Sequence, residues 1–330
     1  MNDVGTSIGR TDEPGTLTDR GDSESLPLVS AVITTYERPT YLREAVQSVL
    51  DQTYERVELI VVDDHSETPA GDVLTEMELS DLVDAQCVRH EENRGANAAR
   101  NTGIDASSGE YIAFLDDDDR WKPSKIARQV ETFLESDEEL GLVYTGVELI
   151  TETDTLERPP PRIEGDITKA LLCRNVVGGM SVAMVRTDLA CEVRFDERFP
   201  AWADLEWFIN LSRRADFGRL PEQLVLYEYR SANKLSFDLE KKRTAYRLFV
   251  ERFDAVAAEY GRLFRRKMRG WAAYRIGTAA FKQERYALAR RYYAVAVSWY
   301  PFETRFMKYL AVSSGGKPLH RLVRAVKQSV

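Results

Sequence analysis

The sequence predicts an α/β fold, a mixed but mainly parallel sheet flanked by helices, with a helical extension at the C-terminus. Two observations carry this. Four apolar, β-branched runs, Leu28–Thr35, Val57–Val62, Ala85–Arg89 and Tyr111–Leu115, alternate with amphipathic stretches at Tyr41–Asp51, Gly71–Leu79 and Ala96–Ala106. Strands separated by helices of this length form right-handed βαβ units. From Lys241 onward the pattern turns wholly helical, broken only at Gly315-Gly316-Lys317-Pro318.

In order along the chain, residues 1–26 are an acidic and polar tail, rich in Gly, Ser, Thr and Asp, which cannot bury enough surface to order itself. It has neither the basic start nor the apolar stretch of a secretory signal. Residues 27–150 hold the alternating strands and helices. A further strand, Gly141–Ile150, precedes the proline-rich Pro159-Pro160-Pro161. In residues 151–238 the pattern is mixed: a short helix to Cys173, a strand at Val182–Val185, an amphipathic helix at Asp204–Arg214 and a strand near Leu224–Tyr229. Residues 239–330 are the helical region. Within it Ile276, Gly277, Ala289, Tyr293, Ala296 and Pro301 fall at the packing positions of a tetratricopeptide helix pair, although Ala273 and Ala280 stand where that repeat carries Trp and Tyr. One such unit cannot bury its own apolar face, so it docks on the preceding domain or on a partner.

Charge is unevenly divided. Residues 1–240 carry 24 Lys+Arg against 49 Asp+Glu, a net of −25, and residues 241–330 carry 21 against 5, a net of +16. The basic segment either packs on the acidic body or faces anionic lipid. Leu319, Leu322, Val323 and Val326 share one helical face with Arg321, Arg324 and Lys327 elsewhere around it, a short basic helix able to lie in a membrane interface or to pack on the body. No run of apolar residues is long enough to span a bilayer. The three cysteines, Cys87, Cys173 and Cys191, suit neither a disulfide framework nor a zinc site and fit a reducing cytoplasm. The expected location is therefore cytoplasmic, with peripheral contact at the inner face of the membrane as the further option.

In parallel sheets ligands gather beyond the carboxyl ends of the strands. Strand one ends in Thr34-Thr35-Tyr36, strand two in Asp63-Asp64 and strand four in Asp116-Asp117-Asp118-Asp119, whereas strand three offers no comparable polar end. Four consecutive carboxylates repel one another unless a cation neutralises them, and hard oxygen ligands at a strand end suit Mg²⁺ or Mn²⁺ bridging to phosphates. A solvated acidic turn, with Asp119 capping a helix that begins near Lys122, accounts for one aspartate rather than four. No pair of histidines has metal-ligand spacing, and no nucleophilic Ser or Cys constellation is present.

The stretches VSAVITTYERPTYLREAVQSVLDQTYERVELIVVDDHS and ENRGANAARNTGIDASSGEYIAFLDDDD resemble the amino-terminal half of the family 2 glycosyltransferases. The likeness runs from Val29 to Ile150 and continues more weakly through Asn175–Arg186 and FDERFPAWADLEWFINLSRRADFG to Tyr229. It implies the GT-A fold over residues 27–238, with the donor half at 27–150 and the acceptor half at 151–238. It also implies a divalent cation, Mn²⁺ or Mg²⁺, a nucleotide-diphospho-sugar donor and transfer with inversion. On that resemblance Thr34 and Tyr36 line the nucleobase pocket, Asp64 accepts a hydrogen bond from a base with a ring N–H, which favours a UDP-sugar, and Asp63 braces its turn. Arg100 reaches the diphosphate, and Arg94 is a second basic residue beside it. Asp116 and Asp118 occupy the D-x-D positions, Asp118 as the metal ligand, with Asp116 as a second one and Asp116 or Asp117 on the ribose or on a water of the cation. Asp204 takes the position of the base that deprotonates the acceptor hydroxyl, but Ala203 replaces the acidic neighbour usual in the family. Asp204 as a plain helix cap is the alternative. The acceptor is expected to be a glycan or a lipid-linked chain rather than a nucleic acid. A non-catalytic scaffold that binds partners through its helical tail is the competing function.

Overall fold

The computed structural model describes residues 26–136, 139–151, 155–228 and 238–316. The expected basic helix around Leu319–Lys327 and almost all of the N-terminal tail lie outside these residues. The first half builds β1 (Val29–Thr35), α1 (Pro39–Leu50), β2 (Val57–Asp63), α2 (Ala70–Thr75), β3 (Asp84–Arg89), α3 (Ala96–Ala106) and β4 (Tyr111–Asp116). Parallel pairing sets the order β3-β2-β1-β4. All seven residues of β2 are buried, as expected for a strand covered on both faces. Helix α2 ends earlier than the predicted Leu79, because the N–H groups of Glu76 and Met77 reach back only three residues, to Val73 and Leu74, and the Thr75 hydroxyl bonds the Asp72 carbonyl.

Helix α3 comes unusually close to β1. A Cβ built on Gly103 would lie 2.3 Å from Cγ1 of Val32, so glycine is what permits this approach. Asn101 supplies a backbone-like clamp, donating to the Phe195 carbonyl and accepting from the Phe195 N–H.

Beyond β4 the sheet becomes mixed. The elements are β5 (Asp119–Trp121), α4 (Lys125–Glu135), β6 (Leu140–Ile150), β7 (Thr155–Arg158), α5 (Thr168–Cys173), a 3₁₀ turn (Met180–Val182), β8 (Ala183–Arg186), α6 (Thr187–Glu192), α7 (Ala203–Ser212) and β9 (Asp216–Glu228). The sheet continues β4-β8-β6-β9-β5, and β7 pairs with β6. Its last strand therefore follows its fourth directly in sequence, and the aspartate run is the turn between them. This overturns the alternative in which Asp119 caps a helix beginning near Lys122. Asp119 is buried in β5, accepts a 2.5 Å bond from the Ser181 hydroxyl, and helix α4 starts only at Lys125. The predicted strand near Leu224 is the second half of the longer β9, which pairs with β6 in parallel through register shifts that mask its periodicity.

The C-terminal helices are α8 (Leu239–Glu259), α9 (Arg262–Lys282), α10 (Tyr286–Trp299) and α11 (Thr304–Ser314). They dock on the α/β body. Phe249, Phe253, Val256, Ala257, Met268 and Ala272 join the same hydrophobic core as the sheet residues. Arg252 forms ion pairs with Asp196 and with buried Glu206. Helices α9 and α10 pack with Gly277 against the ring of Tyr293, and Ala289, Tyr293 and Ala296 are fully buried.

Candidate active site

The carboxyl ends of β1, β2 and β4 and the start of α7 open on one cavity of about 890 Å³. The structure gathers there Thr34, Tyr36, Asp64, Arg100, Asp116, Asp117, Asp118 and Asp204, every residue singled out from the sequence as a site candidate. Parallel register sets Thr34 beside Asp116 and Thr35 beside Asp63. Three non-glycine residues around the cavity hold left-handed backbone: Glu37, His65 and Trp202, with φ of 56°, 74° and 61°. Such conformations persist where the surroundings enforce them and cluster at functional sites.

Asp64 is 4% exposed and is held by three donors. Its Oδ1 accepts from the Arg94 N–H at 2.8 Å and meets His90 Nδ1 at 2.7 Å, and its Oδ2 accepts from the Gly95 N–H at 2.7 Å. An ionised carboxylate offers about four acceptor sites, which leaves one for a ligand. Gly95 adopts φ +90° to deliver its N–H and start α3. The expectation that strand three ends without polar groups fails here. His90 follows β3 directly, and its ring ties Asp64 to the Thr102 hydroxyl at 2.9 Å. Asp63 accepts from the N–H groups of Ser66 and Ala70 and braces the turn.

The four aspartates have distinct surroundings. Asp116 pairs with Arg100 at 2.8 Å. Buried Asp117 accepts from the Thr35 hydroxyl at 2.8 Å and from Arg38 at 3.0 Å, and Arg38 also reaches Asp118 at 3.2 Å. Burial is the dominant influence on Asp117 and lifts its carboxyl to about 6, against the pull of Arg38 and Thr35. Burial lowers the Arg38 guanidinium, but its two carboxylate partners outweigh this and leave it above its ordinary value. Arg38 is not among the residues singled out from the sequence. A lone arginine three residues beyond a strand facing four aspartates was the available signal.

Asp204 lies in the first turn of α7 and accepts from the Asn175 amide at 2.9 Å. Burial raises its carboxyl above the usual range, opposed by the Leu205 N–H, Arg100 and Arg275, while Asp116 adds to the rise. Arg275 belongs to α9, so the helical region acts electrostatically on this group, and Lys241 of α8 lines the cavity as well. Glu206, the other acid of this helix, turns away. It is 1% exposed, paired with Arg252 at 2.9 Å, and lifted by burial to about 7. Trp207 is fully buried against Phe114 and Phe195, whereas Trp202 lines the cavity. The Arg94 side chain forms a long, half-exposed pair with Glu197.

Among the described residues no group of three or more His, Cys, Asp or Glu side chains converges as a protein-only metal cage. Asp116 and Asp118 instead offer partly exposed carboxylates on the cavity. That donor set suits Mg²⁺ or Mn²⁺ completing its shell with water and phosphate oxygens.

The topology, a mixed sheet with four parallel and four antiparallel strand pairings among the described residues and its acidic turn after the fourth strand, is a GT-A-like fold. The mannosyltransferase PcManGT from Pyrobaculum calidifontis, solved with GDP-Man and Mn²⁺, superposes with a TM-score of 0.59 at 16% identity, covering 91% of this chain and 84% of that one. Staphylococcus aureus TarS residues 1–349 with UDP give 0.54 at 14% identity, covering 83% and 89%. Residues 30–187 match the model of glycosyl transferase family 2. Bacillus subtilis TuaG, a glycosyltransferase provisionally named for teichuronic acid biosynthesis, is 38% identical over 129 residues, 39% of this chain and 50% of that one. The chain thus spans half the length of this curated relative and less than half of some others.

Proposed function

We propose that this protein is a metal-dependent, inverting glycosyltransferase that moves a sugar from a nucleotide-diphospho-sugar to a hydroxyl of a glycan or lipid-linked acceptor. The observation that carries the reading is that Asp204, a carboxylate beside Arg100 and Arg275, shares one cavity with the aspartate run and the Asp64 lattice. A nucleobase fits between Tyr36, half exposed and able to stack, and the last free acceptor site of Asp64. This favours a UDP-sugar, as uracil has a ring N–H. Asp117 and Asp116 receive the ribose and Arg100 meets the diphosphate, a reading supported by the bonds of Asp117 to Thr35 and Arg38 and of Arg100 to Asp116. A divalent cation held by Asp118 and Asp116 supplies charge neutralisation for the departing diphosphate.

Asp204 takes the proton of the acceptor hydroxyl. The oxygen then forms its bond to the anomeric carbon from the face opposite the diphosphate, and the bond to the nucleoside diphosphate breaks with its electron pair. Its raised pKa makes Asp204 a stronger base than a solvent-exposed aspartate, and Asn175 orients it. The reading is tested by calorimetric titration with UDP and GDP, with and without Mn²⁺. Metal-enhanced binding of one of them is expected. Absence of metal-dependent binding to any nucleoside diphosphate refutes it.

No helix among the described residues is long and apolar enough to cross a membrane. A peripheral position at the inner face of the membrane remains part of the proposal, supported by the charge of residues 241–330.

A further inference from the structure

A second cavity, of about 330 Å³, lies between the α5–β8 loop and helices α8 and α9. Arg174, Lys242, Arg275 and Lys282 line it, and no Asp or Glu does. None of the four has a carboxylate ion-pair partner among the described residues, although the whole chain carries a net charge of −9. Lys242 and Arg275 are half-buried, and burial lowers both from their ordinary values, Arg275 to about 10. Lys282 adds to the fall of Lys242 by repulsion. Cations drawn together in this way cost stability unless an anion joins them.

Two buried donors in the lining also lack acceptors. Trp271 is 5% exposed and its Nε1–H has no partner, and the Nη1 of Arg275 is likewise buried without one. The two residues stand four apart on α9 and so lie on the same face of that helix. The Arg275 guanidinium is further fixed over the rings of Trp202 and Phe249, at 5.5 and 5.0 Å from their centroids. Buried donors are almost always satisfied in folded proteins, so a pair of orphans beside four unpaired cations points to an absent acceptor-rich ligand.

The position of this cavity relates it to the reaction. Trp202 lines both cavities, and Asn175, which lines the second, donates to Asp204 in the first. We infer that the second cavity binds an oxyanion, phosphate or carboxylate, carried by the sugar acceptor, and so presents the acceptor hydroxyl to Asp204. The inference rests on the proposed glycosyltransferase function and adds to it that the acceptor is anionic near its reacting end. Arg275 then has two tasks, as a ligand for that anion and as a positive charge beside the base.

The test uses the full chain and its Lys242→Gln/Lys282→Gln double variant, neither residue being part of the donor site. Inorganic phosphate and glucuronate are titrated separately in the presence of saturating UDP and Mn²⁺, which occupies the diphosphate site. The wild-type chain is expected to bind one of them saturably. The double variant should weaken that binding by about tenfold or more, with UDP affinity unchanged, and Lys242→Arg/Lys282→Arg should restore it. Phosphate as the ligand indicates an acceptor carrying phosphate, and glucuronate one carrying uronate. UDP binding with no anion binding, or with equal anion binding in both proteins, overturns the subsite and leaves the glycosyltransferase reading standing. Anion binding without any nucleotide binding overturns that reading and the acceptor role with it.

Discussion

Replacing Asp64 with Asn changes one oxygen to an amide nitrogen and leaves the volume of the side chain intact. The consequence follows from the three donors around it. Oδ1 faces two of them, the Arg94 N–H and His90, and Oδ2 faces one, the Gly95 N–H. The less costly orientation of Asn keeps its oxygen at Oδ1 and sets its NH₂ group against the Gly95 N–H, donor to donor at 2.7 Å. One charge-assisted hydrogen bond is lost and one buried donor is orphaned, about 1.5–3 kcal/mol. At about 2.1 cal/mol/K of unfolding entropy per residue, over a chain of 330 residues, this lowers Tm by roughly 2–4 °C. The same NH₂ group also occupies the position of the last free acceptor site, where it repels a ring N–H. The affinity for UDP should therefore fall about 10- to 100-fold, or ~1.4–2.8 kcal/mol. Differential scanning calorimetry and titration with UDP and Mn²⁺ measure the two effects separately. A fall in Tm with unchanged UDP affinity would make Asp64 a brace of the loop and remove it from base recognition. No change in either quantity would refute the hydrogen-bond argument itself.

Other predictions follow from the same geometry. Asp204→Asn should reduce transfer by roughly 10²- to 10⁴-fold while UDP affinity stays near that of the wild type. Persistent transfer in a nucleotide-sugar assay would remove Asp204 as the base, and Glu206, locked against Arg252, is not placed to replace it. Asp118→Ala should abolish the enhancement of UDP binding by Mn²⁺, and an undiminished enhancement would move the metal elsewhere. Glu206 is raised from 4.5 to about 7 on folding, so the folded chain binds more protons than the unfolded chain between those values. Its contribution to stability is fully present below pH 4.5 and is lost as pH rises through 7. Glu206→Gln should thus shrink the difference in Tm between pH 5 and pH 8, and an unaltered difference would contradict the assignment. Gly103→Ala places a methyl group 2.3 Å from Val32 and should cost about 1–3 kcal/mol, read as a lower midpoint in urea unfolding.

Much of the donor half was legible because buried parallel strands are written as continuous apolar runs. Val29–Thr35 and Val57–Asp63 could hardly be anything else, and polar residues that follow such runs must meet at one edge. What escaped depends on contacts distant in sequence. The role of Asp119 is set by Ser181, 62 residues on, and β5 exists only because β9 pairs with it. His90 reads as an isolated histidine until the register of β2 and β3 sets it beside Asp64. Arg275 could not be seen at all, since its neighbour Asp204 lies across a helix–helix junction. The match to the family model ends short of that junction, at residue 187.

The docking of α8 and α9 bears on how this chain can be divided. A truncation after residue 238 looks natural from charge and periodicity, but it would split one apolar interior in two. Loss of Phe249 and Phe253 uncovers the face they fill at about 1.5–3 kcal/mol per side chain, and Glu206 would keep its buried carboxyl without Arg252. A fragment cut there is expected to aggregate rather than to report donor binding. Chimeras that exchange acceptor preference between such transferases should carry α8 and α9 together with the loop that holds Arg174 and Asn175. These pieces wall the same hollow, and a junction drawn through it would mismatch both parents.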